Sequence, residues 1–241
     1  MSTYLALCKE VTRECDIAGA SLTDLPTAVT NQVGDLRRVV EWVKQAWTEL
    51  QNRHPNWRWM RSTWSVNTVA ADDTYAGTDC TDSRLSTTID RFGRWITHDD
   101  EGYSNVKMYL SSGGVSGEGW LTFLPWNDFR AVYKIGTQNN GKSAHFTIDP
   151  QNNLVLGPKP DAVYVVTGEY QMSAQTLSAD ANTPEMPAQF HQLIVYRAMQ
   201  KYAGFESASD VMVRAVTEGN KLLRQLEANQ LPRILLAGPL A

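Results

Sequence analysis

Eight residues, Gly136 to Ser143, read GTQNNGKS and fit the phosphate-cradling pattern G-x-x-x-x-G-K-[ST]. In that pattern backbone N–H groups wrap the phosphates, the lysine reaches the outer ones and the hydroxyl holds magnesium. The chemistry needs a buried strand leading in and a helix leading out, whose N-terminus faces the anion. Here Ala144 to Asp149 alternates and contains Phe146, Thr147 and Ile148, which is a strand pattern, and Asp149-Pro150 is a turn. No apolar strand ending in an acidic residue offers a magnesium ligand. The spacing therefore predicts no nucleotide site and no cofactor, with Asn139-Asn140-Gly141 as the tight turn of a β-hairpin.

Other residue sets with chemical potential are weaker. GGVSGEG (113–119) lacks dinucleotide spacing and leads into a strand pattern, so it reads as a loop. No G-x-S-x-G marks a nucleophilic serine. Cys8 and Cys15, two helical turns apart, suit core packing, and Cys80 sits in a polar stretch; reduced thiols in a cytoplasmic setting are expected. There is no C-x-x-C pair, and His54, His98, His145 and His191 are scattered, so no metal site is expected. Asp99, Asp100, Glu101, Glu118, Asp128 and Glu169 could pair for glycoside hydrolysis, although solvated loop acids fit them better. Trp57, Trp59 and Trp64 lie beside Arg53, Arg58 and Arg61. They suit a domain junction, where large aromatics wedge between a helix end and the first strand. The alternative is a β-rich module that stacks sugar or single-stranded nucleic acid on them.

The elements that must carry these residues change period along the chain. Leu5, Cys8, Val11 and Cys15 predict a helix over Thr3 to Ile17, capped by Ser2 or Thr3. A longer helix from about Val33 to Arg53 carries Leu36, Val39, Val40, Val43, Trp47 and Leu50 and stops before Pro55. Strand patterns then dominate at 56–70, 86–96, 105–110, 119–124, 143–149, 152–157 and 163–172. Between them lie DDTYAGTD, SSGGVSGEG, QNNGK, DPQNN and GPKPD. One short helix interrupts at 125–135, with Phe129, Val132 and Tyr133 inward. Helices resume after Pro187, with Phe190, Leu193, Ile194 and Ala198 on one face and Gly204 at the end. A last one, Ser209 to Asn229, buries Met212, Ala215, Val216, Leu222, Leu223 and Leu226.

Two separated helix pairs cannot each bury a stripe in water. The economical arrangement is α+β: a bundle of the N- and C-terminal helices (1–56 and 182–241) with an inserted, mostly antiparallel β domain (57–181). The 241 residues give ample core, and a net charge of −4 with pI about 5.6 argues against gripping nucleic acid. No apolar run is long enough to span a bilayer, so no membrane partner is expected. The charged amino terminus does not read as a secretory signal. Beyond Gln230 the tail LPRILLAGPLA is apolar and kept from helix by Pro232, Gly238 and Pro239. It reads either as folded back on its own bundle or as a docking arm that buries Leu231, Arg233, Ile234, Leu235, Leu236 and Leu240 against a partner surface.

Three phrases in order, AWTELQNRHPNWRWM, SVNTVAADDTYA and FLPWNDFRAVY, are closed by PEMPAQFHQLIVYRAMQKYA and a final helix. This layout resembles the head-to-tail adaptor proteins of tailed bacteriophages over most of the chain. The resemblance implies a virion structural protein without an active site, assembled in the host cytoplasm and located at the virion neck. It implies a homo-oligomeric ring, usually dodecameric, under the portal protein, with the β domain facing the tail or nozzle protein. Double-stranded DNA would pass through the lumen without specific binding.

Overall fold

The computed structural model describes residues 2–17 and 25–232. In chain order the first elements are α1 (Tyr4–Glu14), α2 (Gly34–Asn52), β1 (Arg61–Asn67), β2 (Thr74–Tyr75), β3 (Thr81–Asp82), β4 (Thr87–Thr88) and β5 (Phe92–Ile96). There follow β6 (Lys107–Leu110), β7 (Gly119–Trp120), β8 (Thr122–Phe123), α3 (Trp126–Tyr133), β9 (His145–Ile148) and β10 (Leu154–Gly157). The last are β11 (Tyr164–Met172), α4 (Gln192–Glu206) and α5 (Ser209–Gln230). The protein is α+β, with terminal helices flanking an antiparallel-dominated β region. It divides into two units, a helical one drawn from Met1–Trp59 and Ala174–Ala241 and a β-rich one, Met60–Ser173.

In the helical unit, the Thr3 hydroxyl accepts from the Ala6 N–H and starts α1. Asp35 sits in the first turn of α2, where its charge complements the helix dipole. α4 is the central helix and packs on α1, α2 and α5. Its consecutive Leu193, Ile194 and Val195 are all buried, because a helix contacted on several sides needs more than one apolar face. The two halves of the chain are tied by hydrogen bonds. The Tyr4 N–H donates to the Asn182 carbonyl (2.7 Å), and the Tyr4 hydroxyl donates to that of Val40 (2.8 Å). Gln51 accepts from the Gln175 N–H (2.7 Å) and donates to its carbonyl (3.0 Å). Glu227 accepts from Arg53 (3.1 Å) and lies 2.9 Å from the His54 ring.

Two expectations for these helices are corrected. α4 runs through Gly204 to Glu206, and its stop is Ser207 in the left-handed conformation (φ 56°). In α5 the buried stripe is Ala215, Gly219, Leu223 and Leu226. Val216 is exposed and Met212 and Leu222 are half-buried, because one neighbour, α4, covers only a narrow strip. The small residues allow the close approach: a Cβ at Gly219 would sit 3.3 Å from that of Tyr196.

The β unit is organised around β11. All of β1 pairs with it, Arg61 opposite Gln171 through Asn67 opposite Val165. β5 and β6 share its other edge, and the larger sheet runs β4-β3-β1-β11-β6-β7. Alternation in β1 sends Ser62, Trp64 and Val66 inward. Trp64 faces Gly168 across the pair, donates its indole N–H to the Glu169 carbonyl (3.1 Å) and meets Trp95 edge-on (5.0 Å). Buried Asp82 accepts from Tyr170 (2.7 Å), Ser62 (3.0 Å) and the N–H groups of Arg84 and Leu85. Burial opposes its charge, yet these donors hold its carboxyl below the usual range. The second sheet runs β2-β10-β9-β8, with β8 and β9 parallel.

Three expectations in this unit are overturned, and Cys80, read only as lying in a polar stretch, is placed. The hairpin is not at Asn139–Gly141, where no regular structure forms; it is β9–β10, turned by Asp149, whose carboxylate accepts from the Gln151 and Asn153 N–H groups. The stretch 119–124 breaks at Leu121, which donates to Val106, so β7 joins one sheet and β8 the other. Val132 on α3 is 52% exposed, since the short helix seats only Phe129 fully. Cys80 is buried, its thiol 3.6 Å from the Ala76 carbonyl.

Candidate interaction surfaces

The phosphate-like segment follows a helix and precedes a strand, the reverse of what anion binding needs. Its groups are also occupied: the Gly141 N–H donates to the Lys159 carbonyl (2.8 Å), and the Ser143 hydroxyl to that of Pro158 (2.7 Å). The acids do not converge on a catalytic pair. Asp99, Asp100, Glu101 and Asp128 are exposed, and Glu118 pairs with Lys107 at 3.1 Å. Half-buried Glu169 is held by Arg61 and by the Asn105 amide (3.1 Å). Among the described residues no group of His, Cys, Asp and Glu is arranged to hold a metal ion.

The tryptophans separate. Trp57 is fully buried in the helical unit, donates its indole N–H to the Leu50 carbonyl (3.0 Å) and stacks on half-buried Trp59 with centroids 4.3 Å apart. Trp64 is fully buried in the β unit. Neither Trp57 nor Trp64 can offer a face to a base or a sugar. All three cysteines are buried, and burial pushes each thiol up to about 12. They are inert core residues.

Surface chemistry is concentrated elsewhere. In the helical unit Val33 (80% exposed), Val213 (67%) and Phe205 face solvent, with the Arg38 guanidinium 4.3 Å above the Phe205 ring. In the β unit an open cleft of about 560 Å³ is lined by His98, Asp99, Tyr103, Trp120, Leu121 and Phe123. Tyr103 and Trp120 are 68% and 62% exposed, unusual for rings of that size. Pattern reading could have flagged Trp120, which is in phase with exposed Thr122 and out of phase with buried Leu121. Of the tail, Leu231 is half-buried just past α5; Arg233, Ile234, Leu235, Leu236 and Leu240 lie outside the described residues.

The family model described as SU10 adaptor protein matches residues 2–235. The chain belongs to that family. Among curated proteins none matches it. As an SU10 adaptor the chain is a bacteriophage adaptor protein, a structural component whose partners are other virion proteins. No described helix of this adaptor is long and apolar enough to cross a membrane.

Proposed function

We propose that the adaptor forms a ring of twelve copies between the portal and the tail at the virion neck, through which the double-stranded genome passes. The match over residues 2–235 carries the reading. Exposed Val33, Phe205 and Val213 on the helical unit support lateral packing between copies, and exposed Val115 supports docking of the β unit on a tail or nozzle protein. The net charge of −4 suits a lumen that must let phosphates slide, since clustered Lys and Arg would hold them. The segment Leu231 to Ala241 is the arm that reaches the portal or the adjacent subunit. The adaptor acts by assembly, without catalysis, and is built into particles in the host cytoplasm. Electron microscopy and native mass measurement of the adaptor mixed with its portal test this. Closed rings on the portal are expected; a protein that stays monomeric with the portal at high concentration would refute it.

A further inference from the structure

The cleft of the β unit has two chemical halves. Its walls are the exposed rings of Trp120 and Tyr103 with half-buried Phe123, and buried Leu121 forms part of its lining. His98 and Asp99 stand at its rim, and exposed Asp100 and Glu101 follow Asp99 in the same loop. Asp99 is fixed by the N–H groups of Glu101 and Tyr103 (3.0 and 2.8 Å), so the acidic loop is held beside the aromatic walls. Asp100 comes within 3.9 Å of Arg61, whose guanidinium is already engaged by Glu169. An apolar segment that begins with a cation suits such a site: the side chains cover the rings, and the charge meets the rim.

The chain carries a segment of that chemistry. Residues 233–241 read RILLAGPLA: one arginine, then three large aliphatic residues. α5 ends at Gln230, Leu231 is extended (φ −92°, ψ 150°), and Pro232 prevents the helix from resuming. A segment of nine residues can span at most about 30 Å.

We infer that the cleft of one copy receives the C-terminal segment 233–241 of a second copy. The inference rests on the reading of the adaptor as a self-assembling ring. Cleft and tail are different surfaces of one chain, so the contact is head-to-tail, the kind that closes into rings when the rotation permits. A single tail binds weakly because ordering it is costly, whereas a ring engages every tail at once.

The test uses full-length protein carrying Leu235→Asp and Leu236→Asp, which leaves the cleft empty, and a fluorescent peptide of residues 231–241. Anisotropy should show saturable binding in the high-micromolar range, weakened about tenfold or more by Trp120→Ala. Trp120→Phe should retain most of it, and a peptide with Arg233→Glu should bind about threefold to tenfold more weakly. Mixing the Asp variant with full-length Trp120→Ala protein should yield one-to-one pairs by native mass spectrometry that neither forms alone. Binding indifferent to Trp120→Ala, or absent at millimolar peptide, would overturn the inference. So would protection of Trp120 by an oligosaccharide but not by the peptide, or tail–cleft cross-links confined to monomers. Rings that persist on the portal with Trp120→Ala while the peptide fails to bind would sink the cleft and leave the ring intact.

Discussion

Gly168→Ala tests the packing that centres the β unit. The backbone there is ordinary strand, so alanine is conformationally acceptable and should gain roughly 0.5–1 kcal/mol over glycine in a strand interior. Space opposes it. The new Cβ would sit 2.8 Å from Trp64 Cζ2 and 3.0 Å from Cε2 and Nε1. Those are ring atoms of a fully buried indole that Trp95 already meets at 5.0 Å, so the ring cannot swing clear. Overpacking of this kind costs about 1–3 kcal/mol. Displacing the indole from the Glu169 carbonyl leaves a buried donor unsatisfied, at about 1–3 kcal/mol more. The balance is a destabilisation of about 1–5 kcal/mol, a fall in Tm of roughly 2–20 °C for a chain of this size. Calorimetry with near-ultraviolet dichroism should show the loss in the transition that carries the tryptophan signal. In a Trp64→Phe background the smaller ring should make Gly168→Ala nearly neutral, a coupling readable from the double-mutant cycle. An unchanged or raised Tm in the wild-type background would refute the reasoning.

The His191 ring accepts from the Ser2 N–H (3.3 Å) and lies 3.1 Å from the Met186 carbonyl, and burial lowers its pKa from the usual 6.5. The unfolded chain therefore takes up the proton first, so stability should be full above about pH 6.5 and fall as pH drops toward the folded value. Urea midpoints at pH 8 and pH 5 should show the loss, and His191→Gln should flatten it; a flat wild-type profile would contradict the burial. With their pKa at about 12, Cys8, Cys15 and Cys80 should resist thiol reagents at pH 8 until denaturant is added, and rapid labelling of native protein would count against that core. Lys142→Ala should leave assembly unchanged; magnesium-dependent ATP binding that this change abolishes would reinstate the phosphate loop. Deleting Leu231 to Ala241 should spare the fold of the isolated protein, as read by dichroism, and abolish attachment to the portal in co-sedimentation.

The long helices and the strand character of the middle were legible because their apolar periods are long and uninterrupted. Val39, Val43, Trp47 and Leu50 are buried as the period requires. Short elements were not legible in the same way. The break at Leu121 depends on a hydrogen bond to Val106, fifteen positions away, and no local pattern encodes it. Asn139-Gly141 has the letters of a tight turn, but its N–H group is claimed by Lys159, so the true hairpin formed at Asp149. The α5 stripe was drawn too wide because periodicity gives an apolar face without saying how much of it a neighbour covers. The phase of Trp120 with Thr122 points outward, but the cleft also needs Tyr103, a loop residue whose exposure no period encodes.

Arg61 and Gln171 are cross-strand partners, so the β unit takes in the polypeptide and returns it within one strand spacing, about 5 Å. This sets an order of events during synthesis. Closing a loop as long as Met60–Ser173 as free coil would cost on the order of 4 kcal/mol. A β unit that folds first removes that obstacle, and the strands themselves bring the two flanking segments together. α1 and α2 leave the ribosome early, yet the helix that covers them, α4, is made only after the whole insert. Until then the stripe of Val39, Val43, Trp47 and Leu50 is open to water and to chaperones. The interval in which a nascent adaptor is vulnerable is thus the time taken to translate and fold its own insert.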